Sequence, residues 1–241
     1  MINDTSKRPN PKHASTKARA QLGKASGGPP VRRPRSARLS SSARKALILE
    51  AAMRFFAENG FSGTIREFAD FMGVSSALIF RYFSTKEELI KAAYETLYIQ
   101  QIDSNWIRLL SDRSTSIEQR LKAFYRSYMV VSDDYRWIRV ALVTGLSNLP
   151  MVKEYLDSFM TPILDQMAKE LHFARTGEEL EKVNTEDREL LWHLHSSLVY
   201  FLIRKYVYRS TVASNTIRVM DRSIHHFLQG FVPSLTDPET N

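Results

Sequence analysis

Three aromatic rings and a guanidinium occupy four consecutive positions, Phe80-Arg81-Tyr82-Phe83, within the stretch GVSSALIFRYFSTKEEL at residues 73–89. These groups suit docking on a charged polymer rather than making or breaking bonds. Tyr82 and Lys86 supply a phenol and an ammonium for phosphate oxygens, and Arg81 suits a phosphate or a guanine edge. Ser75 and Ser76 stand where a helix would begin, with free backbone N–H groups and the positive end of the dipole. Ala77 is small enough for close approach to a groove, and Ala77 or Leu78 can meet a thymine methyl. Ile79 and Phe83 are expected to point inward. Catalytic and metal chemistry find no comparable grouping. His193 and His195 are two residues apart, so a helix sends them to different faces, and His225-His226 meet the same objection. Cysteine is absent, and no phosphate loop or nucleophile elbow is present. The expectation is therefore no enzyme, no metal and no cofactor.

The elements that must position these residues read as helices almost throughout. In ARKALILEAAMRFFAENGF, residues Leu47, Ile48, Ala51, Ala52, Phe55 and Phe56 form one apolar stripe at helical spacing, ended by Asn59-Gly60. A second helix starts at Thr64 with Glu67 completing a capping box, and it stops at Gly73. A third starts at Ser75. A fourth starts at Ser84 with a box to Glu87, its stripe running on towards Trp106. Two short helices joined by Gly-Val-Ser form a helix-turn-helix, whose second helix enters the major groove. Pro162 is expected to kink a later helix, and two long segments, about 185–208 and 215–231, close the chain. No strand signal is found, so the fold class is all-α.

Of 241 residues, 43% are hydrophobic, enough for a sizeable core. Net charge is +8, but residues 1–40 hold ten Lys and Arg against the single acid Asp4, while residues 92–241 sum to −2. The basicity thus belongs to the N-terminal arm, rich in Ser, Pro and Gly, which reads as disordered and suited to following a DNA backbone. No run approaches a membrane span and no signal peptide opens the chain, so a cytoplasmic location without membrane contact is expected. The domain reading is a disordered basic tail at 1–40, a helix-turn-helix domain at 41–91, a C-terminal effector-binding and dimerisation domain at 92–235, and a tail at 236–241.

The segment ILEAAMRFFAENGFSGTIREFADFMGVSSALIFRYFSTKEELIKA (48–92) resembles the DNA-binding domain of the tetracycline-repressor (TetR) family of bacterial transcription regulators. The likeness rests on FFAENGF, the acid-Phe-Ala of the second helix, GVS, and aromatic-x-aromatic-Phe followed by Lys-Glu. Two departures stand out. The family has one more residue before its second helix, leaving Thr64 alone for the phosphate contact there, and its usual Tyr and His appear as Phe80 and Tyr82. The resemblance implies a transcription regulator, a repressor released from a palindromic operator by a small effector. The expected DNA-binding set is Arg44, Thr64, Ser75, Ser76, Ala77, Leu78, Arg81, Tyr82 and Lys86, with double-stranded DNA as partner.

The resemblance also implies that the C-terminal part binds a small molecule and contributes two helices to a homodimer. Large amphipathic residues on the middle helices (Trp106, Phe124, Tyr128, Trp137, Met160, Met167 and Trp192) are the pocket candidates and suggest a hydrophobic or aromatic effector. Arg139 or His193 would orient its polar group. The stripes of the last two helices are broader than one core needs, which places Leu198, Phe201, Leu202, Tyr206, Ile224, Phe227 and Leu228 at a dimer interface. Two other readings stay open at this point. One is a constitutive or architectural DNA binder relying on its basic tail; the other is a helical small-molecule-binding protein or enzyme that has lost DNA binding.

Overall fold

The computed structural model describes residues 39–230. Residues 1–38 of the basic arm, and Phe231 with the C-terminal tail, lie outside the described residues. Helix α1 (Ser41–Asn59) begins where Ser40 Oγ accepts the Ala43 N–H at 3.1 Å, and it ends at Gly60 with φ +69°. Its stripe is buried as the spacing predicts, except for Leu47, which faces outward. Helix α2 (Ile65–Met72) carries the expected capping box. Thr64 Oγ1 accepts the Glu67 N–H at 3.2 Å, and Glu67 Oε2 accepts the Thr64 N–H at 2.6 Å. Gly73 closes α2 at φ +66°, ψ 35°, a left-handed conformation that suits glycine.

Ser75 caps the short helix α3 (Ser76–Phe80), and both Ile79 and Phe83 are buried as predicted. Helix α4 (Lys86–Leu97) begins one residue later than its sequence signal suggests. Thr85 Oγ1, not Ser84, accepts the capping bond, from the Glu88 N–H at 3.1 Å, and Glu88 also takes the Ser84 N–H at 2.6 Å. Ser84-x-x-Glu87 and Thr85-x-x-Glu88 have the same spacing, and only packing chooses between them.

The stripe of α4 does not run on to Trp106. After a 3₁₀ turn at Ile99–Gln101, Asp103 Oδ1 accepts the Asn105 N–H at 2.8 Å, a local side-chain bond that competes with helix. Helix α5 (Trp106–Ser111) follows, then α6 (Ile117–Ser132), α7 (Tyr135–Leu146) and α8 (Met151–Tyr155). The irregularity expected at Pro162 takes the form of a π-turn at Leu156–Met160 leading into α9 (Thr161–Thr176). Proline has no N–H to return to the carbonyl four residues back, and the wider turn absorbs the mismatch. Helices α10 (Thr185–Tyr206) and α11 (Thr216–Gly230) complete the described chain, which contains no strand. Helix α1 packs on both α4 and α7, and one hydrophobic core runs from Ile48 to Ile224.

The loop before α2 is tightly built. A Cβ on Gly63 would lie 2.7 Å from Phe55 Cζ, and that ring is boxed by Phe56, Phe68 and Phe71 at centroid distances of 5.4–5.9 Å. Gly63→Ala is expected to destabilise the fold by about 1–3 kcal/mol through overpacking. Urea unfolding of the variant beside wild type checks this, and an unchanged midpoint would contradict it.

Candidate nucleic-acid interface and ligand cavity

The turn Gly73-Val74-Ser75 sets α3 against α2 and leaves one face of α3 uncovered. Ser75, Ala77, Phe80 and Arg81 are exposed, while Ser76, Leu78 and Tyr82 are half-buried at its edge. The Arg81 guanidinium lies over the Tyr82 ring, 5.9 Å from its centroid. Arg44 lies half-buried in the first turn of α1, and its neighbour Lys45 reaches the Phe83 ring at 5.2 Å. Lys45 thus places a cation beside the end of the recognition helix. Sequence alone offered no reason to prefer it to the other polar residues around it. Phe80, 50% exposed, is likewise a surface aromatic, without a hydroxyl to offer a phosphate.

Two expected phosphate contacts are committed elsewhere. The Thr64 hydroxyl accepts the Glu67 N–H and donates to the Glu67 carboxylate at 3.0 Å, so its single proton is used inside the capping box. The Thr64 backbone N–H, then its hydroxyl, hold the Glu67 carboxyl below the usual carboxylate range. Lys86 Nζ donates to the Phe61 carbonyl beyond the end of α1, bracing α4 against that loop.

Further into the chain, a cavity of about 410 Å³ is walled by α4, α6, α7, α8 with its π-turn, and α10. Of the expected lining, Tyr128, Trp137 and Trp192 border it, and Trp106, Phe124, Met160 and Met167 do not. Those four are fully packed. Trp106, for example, spends its indole N–H on Ser127 Oγ at 2.9 Å and sets its ring edge-on to Phe124. The remaining aromatic wall comes from Tyr94, Tyr98 and Tyr155, which sequence reading missed. Tyr94 and Tyr98, the latter capping the C-terminus of α4, stack at 4.3 Å one helical turn apart. Their hydroxyls donate to the carbonyls of Met151 and Trp137 respectively. Burial pushes the Tyr155 phenol up to about 12 and Tyr98 and Tyr128 well above their ordinary value, so all three stay neutral donors. Beyond the tyrosines, the polar residues of the cavity are His195, which is buried, and Ser196, which is exposed. His193 is exposed, and Arg139 turns away to donate to the Ala57 carbonyl of α1.

Residues 48–93 match the family model described as bacterial regulatory proteins, tetR family. That is the segment folded here as α1 to α4. Helices α1 to α4 thus match a tetR-family segment. Solved structures of similar fold include a TetR-like transcriptional regulator from Rhodococcus sp. RHA1 (TM-score 0.59, 15% identity, covering 80% of this chain and all of that one). A second is the ketosteroid transcriptional regulator KstR2 of Mycobacterium tuberculosis (TM-score 0.58, 16% identity, 79% and 96% covered). A third is the fatty acid degradation regulator FadR from Bacillus halodurans (TM-score 0.56, 19% identity, 78% and 98% covered). TetR-family regulators bind DNA to control transcription, act as dimers and often respond to small molecules; they are not ordinarily enzymes.

Beyond the matched segment, α7 presents two faces. Trp137, Ile138, Ala141 and Leu142 look into the cavity, while Arg136 pairs with Glu50 and Arg139 bonds Ala57, both on α1. The expected dimer residues need correction. Leu198, Phe201, Leu202 and Ile224 are buried inside the chain, because α6 covers α11 and α7 with α9 covers α10. Tyr206 spends its hydroxyl on Asp133, and Phe227 and Leu228 are half-buried. The apolar side chains that α10 and α11 expose are Leu190, Tyr200, Ile217 and Val219. Among the described residues, no cluster of three His, Asp or Glu is placed to hold a metal, and no helix is long and apolar enough to cross a membrane.

Proposed function

We propose that the protein is a homodimeric repressor that reads a palindromic operator with α3 and releases it when a small apolar molecule enters the cavity. The observation that carries this reading is the uncovered face of α3, with Ala77, Phe80 and Arg81 outward and Ile79 and Phe83 holding the helix to its domain. In this reading Arg44, Lys45, Ser75, Arg81 and Tyr82 hold phosphates, while Ser76, Ala77 and Leu78 meet base edges. Residues 41–91 act as the DNA-binding part and 92–235 as the effector and dimerisation part. Leu190, Tyr200, Ile217 and Val219 lie at the dimer contact, and the basic arm adds sequence-independent affinity.

Shared helices couple the cavity to the DNA-binding part. Helix α4 both walls the cavity and packs on α1, and α7 does the same through Arg136 and Arg139. A ligand that prefers one setting of these helices changes the spacing of the two recognition helices, and operator affinity falls by the differential affinity for the two states.

Selection of the full-length protein against random duplex DNA at physiological salt, followed by sequencing, tests the proposal. A palindrome with fixed half-site spacing is expected. Arg81→Ala is expected to weaken binding to it and to flatten its salt dependence. Recovery of no motif, with binding lost on deleting residues 1–40, would leave the arm as the only DNA-binding element and end the repressor reading.

A further inference from the structure

From the chemistry of the cavity wall, which deepens the effector reading above and rests on it, we infer that the effector is an uncharged, ring-rich molecule whose single hydroxyl hydrogen-bonds His195. None of the residues lining the cavity is Lys, Arg, Asp or Glu. An ionised carboxylate would therefore enter with nothing to offset its lost hydration, and fatty acids, acyl phosphates and aromatic acids are excluded on that ground. The flat walls offered by Trp137, Trp192 and the Tyr94–Tyr98 stack suit rings better than a flexible chain.

Specific orientation comes from one place. His195 is 3% exposed, lines the cavity, and has no hydrogen-bond partner for its Nδ1. The rings of Tyr128 and Trp192 stand edge-on to it at 5.3 and 5.7 Å and supply no polar atom to it. A buried polar nitrogen without a partner is costly, and a ligand that satisfies it gains what the empty site forgoes. Burial drives the imidazole pKa down to about 4, so the ring meets its ligand neutral. A neutral imidazole carries one N–H and one lone pair, and a hydroxyl can pair with either. One further donor is at hand: the Tyr128 and Tyr155 hydroxyls meet at 3.5 Å, only one of them can donate to the other, and the remaining O–H is free for the ligand oxygen.

A matched set of tricyclic probes separates these claims: phenanthrol, phenanthrene and phenanthrene carboxylate, titrated calorimetrically into the full-length protein at neutral pH. Phenanthrol is expected to bind about tenfold or more tighter than phenanthrene, the worth of one hydrogen bond to a buried group. The carboxylate is expected to bind weakest. In His195→Phe the preference for phenanthrol over phenanthrene should fall severalfold, to what the tyrosine O–H alone sustains, while phenanthrene still binds, a change that a purely structural histidine would not produce. Where that variant does not fold, the ranking of the three probes on wild type decides alone. Tightest binding by the carboxylate, equal binding of phenanthrol and phenanthrene, or no binding of any probe would each overturn the inference. Operator release is measured separately. The expected ranking with no effect on operator binding would uphold the ligand class and count against the repressor reading alone.

Discussion

Glu170→Ala is expected to cost about 3–5 kcal/mol of folding stability, the penalty for leaving a buried charge without its partner. The carboxylate is 2% exposed and the Arg120 guanidinium facing it is 4% exposed. Arg120 Nη1 donates to Glu170 at 2.6 Å and also to the Leu110 carbonyl at the end of α5, while its Nε has no partner. Arg113 closes the cluster from the loop after α5, with bonds to Glu170 at 3.0 and 3.1 Å, two more to Glu179, and its guanidinium 3.5 Å above the Phe173 ring. Burial pushes the Glu170 carboxyl up, but the bonds from Arg113 and then Arg120 outweigh it and hold the group below the usual carboxylate range. Removing Glu170 strands Arg120 in the core, and the melting temperature should fall by roughly 10 °C for a chain of this size. The double variant Arg120→Met, Glu170→Leu should recover most of the loss, since it removes the stranded buried charge while Arg113 keeps its bonds to Glu179. Chemical and thermal unfolding of the three proteins measure this. A loss below about 1 kcal/mol for the single variant would show that water reaches Arg120 and that the cluster is a surface one.

Mild acid should destabilise the protein through His195. The histidine has a pKa of about 4 in the fold, lowered by burial, against 6.5 for the free side chain. Between these values the unfolded chain binds a proton that the folded one refuses, so stability is full above about pH 6.5 and falls as the pH drops towards 4. The whole window is worth about 3 kcal/mol, and about 2 kcal/mol of it disappears between pH 7 and pH 5. Carboxylates held low by their partners, such as Glu170 and Glu118, give up their contribution only further down, near and below the ordinary carboxylate range. Unfolding midpoints at pH 7 and pH 5 for wild type and His195→Gln isolate the effect. Equal losses in both proteins would place the titration elsewhere.

Local chemistry was legible in the sequence, and the location of empty space was not. The Thr64–Glu67 box, the left-handed Gly73 and the inward Ile79 and Phe83 all follow from spacings of three or four residues, the range over which a helix speaks to itself. The same signal misplaced the start of α4 by one residue, because Ser84 and Thr85 each have an acid three positions on. Periodicity also identified the inner faces of α1 and α10. It could not say which inner residues meet a neighbour and which meet a cavity. Trp106, Phe124, Met160 and Met167 therefore read like Tyr128 and Trp137, and only packing told them apart. His195 was passed over for the same reason: His193 and His195 differ in which wall they face, a property of the assembled bundle. The broad stripes of α10 and α11 have partners within the chain, since α6 covers α11 and α7 with α9 covers α10.

The two-faced α7 bears on how this protein changes over generations. Residues 137, 138, 141 and 142 border the cavity, and residues 136 and 139 hold α1, so positions in one short helix answer to different selection pressures. A substitution at Ala141 or Leu142 reshapes what is recognised and leaves the link to α1 in place. If the cavity takes an effector as proposed, descendants can drift to new chemical signals in single steps while keeping the same operator. Arg136 and Arg139 are the positions where such drift should be least tolerated.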